Sequence, residues 1–379
     1  MRPLFDPMDN ALRNETGPVP EASRSMSSTH LPFIVLPLAA TLLALAGCGG
    51  GGGGASNATG IVVAAGPEAA ASATTAVRGT AQVPASTPAA ARSVDVAALR
   101  SAVLQVLQDE RARCGFSPLA SDASLDNAAA SHGAYLASAI SNDAKGAHTQ
   151  VPGTPGFTGE SPTDRAKFAG YATGAVNEAF AHSSLSTGDD VVAGALWPTD
   201  RAAAHVKYLL STVYHMAVLL SPRRDVGVGY AEQKGGSAFA QVTVMEFGIK
   251  AGVDNATQSD LLTYPCEGTT VARAAFLPAR ETPNPMPGVG DGTVGTPLYL
   301  RAPAGKVLVL RNHRLSGPDG VAVATTVLDA ANDPAQRLGA AQVFVLPRQA
   351  LVKGAGYHAT FDGTIDGNAF SRSFSFQPG

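Results

Sequence analysis

The chain has 379 residues with 41 Gly and 26 Pro, and only 15% of its residues are charged, against roughly 25% in a typical soluble domain. This length predicts two or three domains. A hydrophobic fraction of 45% is enough for a buried core and excludes global disorder. The formal net charge of −3, the aromatic fraction of 6% and the single Trp197 argue against the basic or stacking surfaces that nucleic-acid binding needs.

The first 47 residues are predicted to be an N-terminal lead followed by a secretory signal. Residues 31–47 are apolar and carry no charge, and the run is shorter than the roughly 20 residues that a membrane-spanning helix needs. A short apolar run that ends in small residues is typical of a signal peptide. We therefore expect residues 1–47 to direct export rather than to span a membrane.

The run ends in Leu45-Ala46-Gly47-Cys48, which resembles the lipobox of bacterial lipoproteins. The resemblance implies that Cys48 becomes the lipid-modified first residue of an exported cell-envelope lipoprotein, in the outer membrane or facing the periplasm. The alternative is a plain signal peptide in which the cysteine occurs by chance. Within residues 48–92, six glycines (49–54) follow Cys48, and the rest is rich in Ala, Ser, Thr, Gly and Pro. This composition predicts a flexible tether.

The other two cysteines are Cys114 and Cys266. With Cys48 assigned to the lipid, we expect these two to pair as a disulfide in an oxidising, exported setting. Two free buried thiols are the alternative. A metal site made by this pair is not expected, because no CxxC motif or Cys/His cluster accompanies it.

The region 93–270 is predicted to fold as one α+β domain. Apolar residues recur at helical spacing in its first part and alternate in its last part. Ser161 followed by Pro162 is typical of a helix start, and Gly115 and Gly170 of helix ends. The predicted helices cover 95–113, 124–140, 161–170 and 200–210, and the predicted strands cover 225–231 and 239–247.

The order of short motifs in this region resembles the CAP superfamily of cysteine-rich secretory, antigen 5 and pathogenesis-related-1 proteins, in its bacterial extracellular form. The segments that carry the resemblance span 95–250 and include LDNAA at 125–129, AHTQ at 147–150, DRAKFAGY at 164–171, NEA at 177–179, STVYH at 211–215 and RDVGVG at 224–229. It implies a CAP-type α-β-α sandwich, with a small antiparallel sheet between helical layers.

In that family two histidines and one or two acidic residues face each other in a cleft. The matching motifs place the histidines at His148 and His215 and the first acid at Glu178. The stretch 205–210, which corresponds to the helix that usually supplies the second acid, contains no carboxylate. Glu160 is a possible substitute for it.

The resemblance and the chemistry of these side chains allow three interpretations. Neutral imidazoles of His148 and His215 are suitable ligands for Zn or another divalent metal, and Glu178 could hold one imidazole by a hydrogen bond. The alternative is a buried polar cluster that binds no metal and only stabilises the packing of the loops. No GxSxG, HExxH, P-loop or placed GxGxxG motif is found, so we lean away from an enzyme.

We therefore expect no required cofactor and a module that binds a small apolar ligand or a surface partner. A metal-assisted hydrolase of peptide or cell-wall substrates is the alternative function. Of the other histidines, His132 is interpreted as a core residue, His182 as a residue that could share a helical face with Glu178, and His205 as a helical residue that could face the cleft.

Residues 271–292, rich in Pro and Gly, are predicted to be a linker, and residues 293–379 a small all-β sandwich. Short β-like runs precede a tail with alternating Tyr357, Ala359 and Phe361 and then Phe370, Phe374 and Phe376, which predicts a closing hairpin. The tail resembles bacterial Ig-like modules. With no site chemistry in it, a spacer or adhesion role is expected.

Overall fold

The fold is described from a computed structural model, which covers residues 94–141, 147–186, 197–236 and 238–379. The predicted signal peptide, the lipidation site Cys48 and the tether lie outside these residues. None of the helices in the described ranges has the length and apolarity needed to cross a membrane.

The first half of the described chain is mainly helical, and the predicted helices are present with ends shifted by a few residues. Asp95 caps the first of them by accepting a hydrogen bond from the Ala98 amide at 3.0 Å. Gly115, with φ +78°, follows its end. The helices are α1 (Val96–Arg113), α2 (Ala123–Ile140), α3 (Pro162–Phe168), α4 (Pro198–Leu209) and α5 (Tyr214–Leu219).

These helices surround a four-stranded sheet of order β1-β3-β4-β2, in which β1 (Ala120–Ser121) is parallel to β3 and the other pairs are antiparallel. Strands β3 (Asp225–Lys234) and β4 (Ala238–Lys250) confirm the two predicted strands. Strand β2 (Thr173–Ser186) was not predicted. The prediction that Glu178 and His182 share a helical face is therefore wrong. Both residues lie on β2, about 13 Å apart along the strand.

Helix α2 packs directly on the backbone of β3. A Cβ atom at Gly227 would lie 2.0 Å from the Leu125 carbonyl carbon, and one at Gly229 would lie 2.2 Å from the Ala129 carbonyl carbon. The two glycines therefore permit a helix-to-strand approach that any side chain would prevent. On the other face of the sheet, Val226 and Val228 belong to a buried cluster with residues of α1, α4 and α5.

The second half of the described chain is built from short strands, and with the helices before it confirms a mixed α+β fold. The strands are β5 (Leu262–Tyr264), β6 (Thr269–Val271), β7 (Ala275–Phe276), β8 (Val294–Gly295), β9 (Leu298–Arg301), β10 (Leu308–Ser316), β11 (Thr325–Asp329), β12 (Gln342–Pro347), β13 (Tyr357–Ile365) and β14 (Asn368–Pro378). They form two sheets, of orders β10-β13-β14-β6 and β11-β12-β9-β5, and a pair of β7 with β8.

The helical and β parts share one buried core. Leu99 and Val206 belong to the same apolar cluster as Phe344 and Phe374. Strands β5 and β6 pair with β9 and β14, and the segment predicted as a linker contains β7 and two 3-10 turns. The predicted disulfide between Cys114 and Cys266 is present, with Cα atoms 5.5 Å apart, and joins the end of α1 to the turn between β5 and β6.

Candidate functional site

The three predicted cleft residues lie close together. His148 follows α2 in a loop, Glu178 lies on β2 and His215 lies in the first turn of α5. The His148 Nδ1 atom lies 2.7 Å from Glu178 Oε1, and the ring centroids of His148 and His215 are 5.9 Å apart. The His148 side chain is 35% exposed and that of Glu178 only 1%, so the imidazole reaches solvent and the carboxylate below it does not.

Glu178 is a buried carboxylate surrounded by donors. Arg165, on α3, donates to its Oε2 atom, and the His132 Nε2 atom lies 3.4 Å from Oε1. Burial acts to raise the pKa of Glu178, but contacts with His132, His148 and Arg165 hold it well below its usual value. Glu178 is therefore ionised, and its two oxygens are engaged by His148 and Arg165.

Arg165 also fixes the loop that carries His148. Its Nη1 atom donates to the backbone carbonyl of His148 at 3.0 Å and to that of Glu160 at 3.3 Å. The short helix α3 begins with a capping box between Ser161 and Asp164, which fixes the first turn from which Arg165 extends. The guanidinium thus sets the position of both an imidazole and a carboxylate.

Glu246 is a second buried carboxyl group, directly opposite Glu178 on the neighbouring strand β4. Its Oε1 atom lies 3.6 Å from Arg165 Nη2, and neither oxygen has a hydrogen-bond partner among the described residues. Burial and the negative charge of Glu178 raise the pKa of Glu246 well above its usual value. Glu246 is therefore the neutral member of the pair.

Replacing Glu246 by Gln is expected to stabilise the protein at pH 7. The unfolded carboxyl is ionised there, so each unit by which folding raises the pKa costs about 1.4 kcal/mol. This cost is absent below the unfolded pKa, near 4.5, and appears as pH rises through it. Urea unfolding of Glu246→Gln at pH 7 and pH 4 checks this, and an equal change at both pH values would contradict it.

His215 is held by an acid that the sequence analysis did not identify. Glu281 is buried, and its Oε1 atom lies 2.9 Å from His215 Nδ1. The same carboxylate accepts hydrogen bonds from the backbone amides of Val213, Tyr214 and His215 at 2.8 to 3.0 Å. It thus caps the start of α5 from a distant segment.

Glu160, proposed as the second acid, does not take this place. Its side chain is exposed, and it contributes its backbone carbonyl to Arg165. Glu281 lies in the segment predicted to be a linker, where no local pattern marks it as a site residue. Only the long-range packing of that segment against α5 brings it to His215.

The other histidines have distinct environments. His132 is fully buried, as predicted. The Gln150 Oε1 atom accepts from the Thr158 amide at 2.7 Å, so its amide nitrogen donates to His132 Nδ1 at 3.1 Å. This leaves the His132 proton on Nε2, which faces Glu178. His205 is also buried, between the hydroxyls of Ser183 and Thr243, and does not line the cavity described next.

A cavity of about 600 Å³ opens beside the imidazoles of His148 and His215. Part of its lining comes from the helical half of the chain and includes His148, Glu178 and His215. Another part, which we call the C-terminal lining, consists of Arg301, Ala304–Val307 and Arg337–Gln342. The volume lies within the roughly 300–1,000 Å³ typical of small-molecule sites.

The carboxylates fix which imidazole nitrogens can act on a ligand. Glu178 and Glu281 engage the Nδ1 atoms of His148 and His215, which leaves the two Nε2 atoms available. In the described part of the chain, no group of three or more His, Cys, Asp and Glu side chains is arranged to hold a metal. No protein-family model and no curated protein matches this chain.

Proposed function

We propose that this chain is an exported binding module of the CAP superfamily, whose ligand is held in the cavity beside His148 and His215. The observation that carries the proposal is the pair of imidazoles, each held at Nδ1 by a buried carboxylate. Helices on both faces of a four-stranded sheet support a CAP-type α-β-α sandwich. Ala217, Val218 and Leu338 in the lining suit an apolar part of the ligand.

The two Nε2 atoms fit a divalent metal, with Zn as the first candidate. A carboxylate on the second ring nitrogen fixes the tautomer and strengthens the donor, as in many zinc sites. A metal held there would supply a Lewis-acidic centre with open positions for a ligand. The residues of this chain would orient the imidazoles through Glu178 and Glu281.

Zinc titration of the whole chain tests the metal part of the proposal. We expect His148→Ala/His215→Ala to weaken Zn²⁺ binding by more than about tenfold, because both ligand nitrogens are removed. The matched control is His313→Ala/His358→Ala, which removes two imidazoles of the β part, distant in sequence from the cleft. Unchanged zinc uptake in the first variant would overturn the metal site.

A metal-assisted hydrolase of peptide or cell-wall substrates is the alternative. Such an enzyme needs a base within reach of the attacking water. The Glu178 oxygens are already engaged by His148 and Arg165, which supports a binding role instead. Turnover of a peptide or peptidoglycan substrate that is lost in the His148→Ala/His215→Ala variant would establish the hydrolase.

We also propose that Cys48 carries the lipid anchor, on the basis of its motif alone. Cys48→Ser is expected to move the protein from the membrane fraction to the soluble fraction. The control is Ser56→Ala, a change in the predicted tether that leaves the motif and the other two cysteines intact. Retention of Cys48→Ser in the membrane fraction would contradict the anchor.

A further inference from the structure

The cavity beside His215 has a positive lining. Four of its lining residues are cationic, namely Arg223, Arg301, Lys306 and Arg337. Among the described residues, Glu178 is the one carboxylate in the lining, and Arg165 already neutralises it. Because a cleft concentrates the field of its walls, an anionic ligand is favoured over a neutral or cationic one.

Two of these cations are available to a ligand. Arg337 is exposed, and its side chain has no hydrogen bond or ion pair within the described ranges. Arg223 is half-buried and donates to the amide oxygen of Asn177 at 2.8 and 2.9 Å. Lys306, by contrast, is paired with Asp366 at 2.9 Å. An arginine without a carboxylate partner is the usual device for binding a carboxylate in a planar, bidentate way.

The C-terminal lining is fixed in place relative to His215. Tyr214, the neighbour of His215, donates from its hydroxyl to Asp333. The Asp333 carboxylate also accepts from the backbone amides of Arg337 at 2.6 Å and Leu338 at 2.9 Å. These contacts hold the backbone of the Arg337 loop against α5, so the C-terminal lining has a fixed position beside the His215 imidazole.

A second fixed point is Arg301 of β9, which is buried and donates to the Leu220 carbonyl at 2.7 Å. Its charge adds to the positive field under the cavity. Burial first, and then this charge, lower the pKa of nearby Arg111 to about 9. Arg111 and Arg301 both donate to backbone carbonyls at the end of α5. Because a carbonyl carries no net charge, these hydrogen bonds do not neutralise the two guanidinium groups.

Taken together, the geometry points to a ligand with a free carboxylate, such as a peptide acid, which Arg337 and Arg223 bind. This inference rests on the proposed binding function of the same cavity and names its ligand class. The β part of the chain is then a component of the site, because it supplies the arginine that selects the acid.

The test compares N-acetyl-Ala-Ala-Ala as the free acid with the same peptide as its C-terminal amide, by calorimetric titration of the whole chain. We expect the acid to bind at least about tenfold more tightly than the amide. Arg337→Gln should reduce acid binding by a similar factor and remove the preference. The control Arg348→Gln removes an exposed arginine outside the cavity and should leave both affinities unchanged.

Several outcomes would overturn the inference. They are equal binding of acid and amide, binding of neither, tighter binding of inorganic phosphate than of the peptide acid, and an equal loss in Arg337→Gln and Arg348→Gln. Zinc titration of the same samples tests the metal site at His148 and His215 independently of ligand binding. An acid preference without zinc uptake leaves this inference standing and removes the metal site, and zinc uptake without an acid preference does the reverse.

Discussion

Replacing Cys114 and Cys266 by Ser is expected to lower the free energy of unfolding by about 5 kcal/mol. The two cysteines are 152 residues apart, and the chain-entropy model gives roughly this value for a loop of that length. The bond spans nearly the whole helical half and closes it onto the β5–β6 turn. Without it the unfolded chain gains the freedom that the cross-link removes.

Serine is a suitable replacement because its hydroxyl retains a local partner. The Thr269 hydroxyl lies 3.7 Å from the Cys114 sulfur and 3.2 Å from the Cys266 sulfur. The loss should therefore report the cross-link rather than an unsatisfied polar group. Urea unfolding of the double variant measures it, with Cys48→Ser as the control that leaves the bond intact. A change below about 1 kcal/mol would contradict the prediction.

Those parts of the fold that depend on local pattern could be predicted from the sequence. Helix α1 has apolar residues at helical spacing with Asp95 before it and Gly115 after it, and β3 and β4 alternate as strands do. Strand β2 escaped prediction because TGAVNEAFAHSSLS mixes polar and small residues without a clear period. Its strand state depends on pairing with β4 along its whole length.

The residues of the candidate site could likewise be predicted only in part from the sequence. His148, Glu178 and His215 were identified from a family resemblance in short motifs, and the structure brings them together. Arg165, Glu246 and Glu281 were not identified as site residues, because each acts through a partner distant in sequence. Glu281 shows the reason most clearly, since 66 residues separate it from His215 and its own surroundings read as a linker.

Replacing Arg165 by Met is expected to destabilise the protein by about 3–5 kcal/mol, the usual effect of removing one partner of a buried ion pair. The guanidinium is fully buried and contacts both Glu178 and Glu246. Methionine retains an unbranched apolar stem but lacks the guanidinium, so the loss includes both the uncompensated Glu178 carboxylate and the hydrogen bonds of Arg165. The backbone carbonyl of His148 also loses its donor, and we expect weaker zinc uptake.

The effect should depend on pH in a defined direction. In the parent protein the pKa of Glu178 is lowered on folding, so its stabilising contribution is present above the unfolded pKa, near 4.5, and is lost as pH falls through the folded pKa. Without Arg165 the buried carboxylate takes up a proton more readily. The difference between the variant and the parent should therefore be largest at pH 7 and decrease at lower pH.

Two further variants separate the charge effect from a general loss of packing. Arg165→Met/Glu178→Gln removes both charges and should recover part of the lost stability, because no unpaired carboxylate then remains. Arg224→Met is the matched control, since Arg224 is exposed and donates to the backbone carbonyl of Asp254. If Arg165→Met destabilises no more than Arg224→Met in urea unfolding, Arg165 is not the residue that holds the buried carboxylates and the His148 loop together.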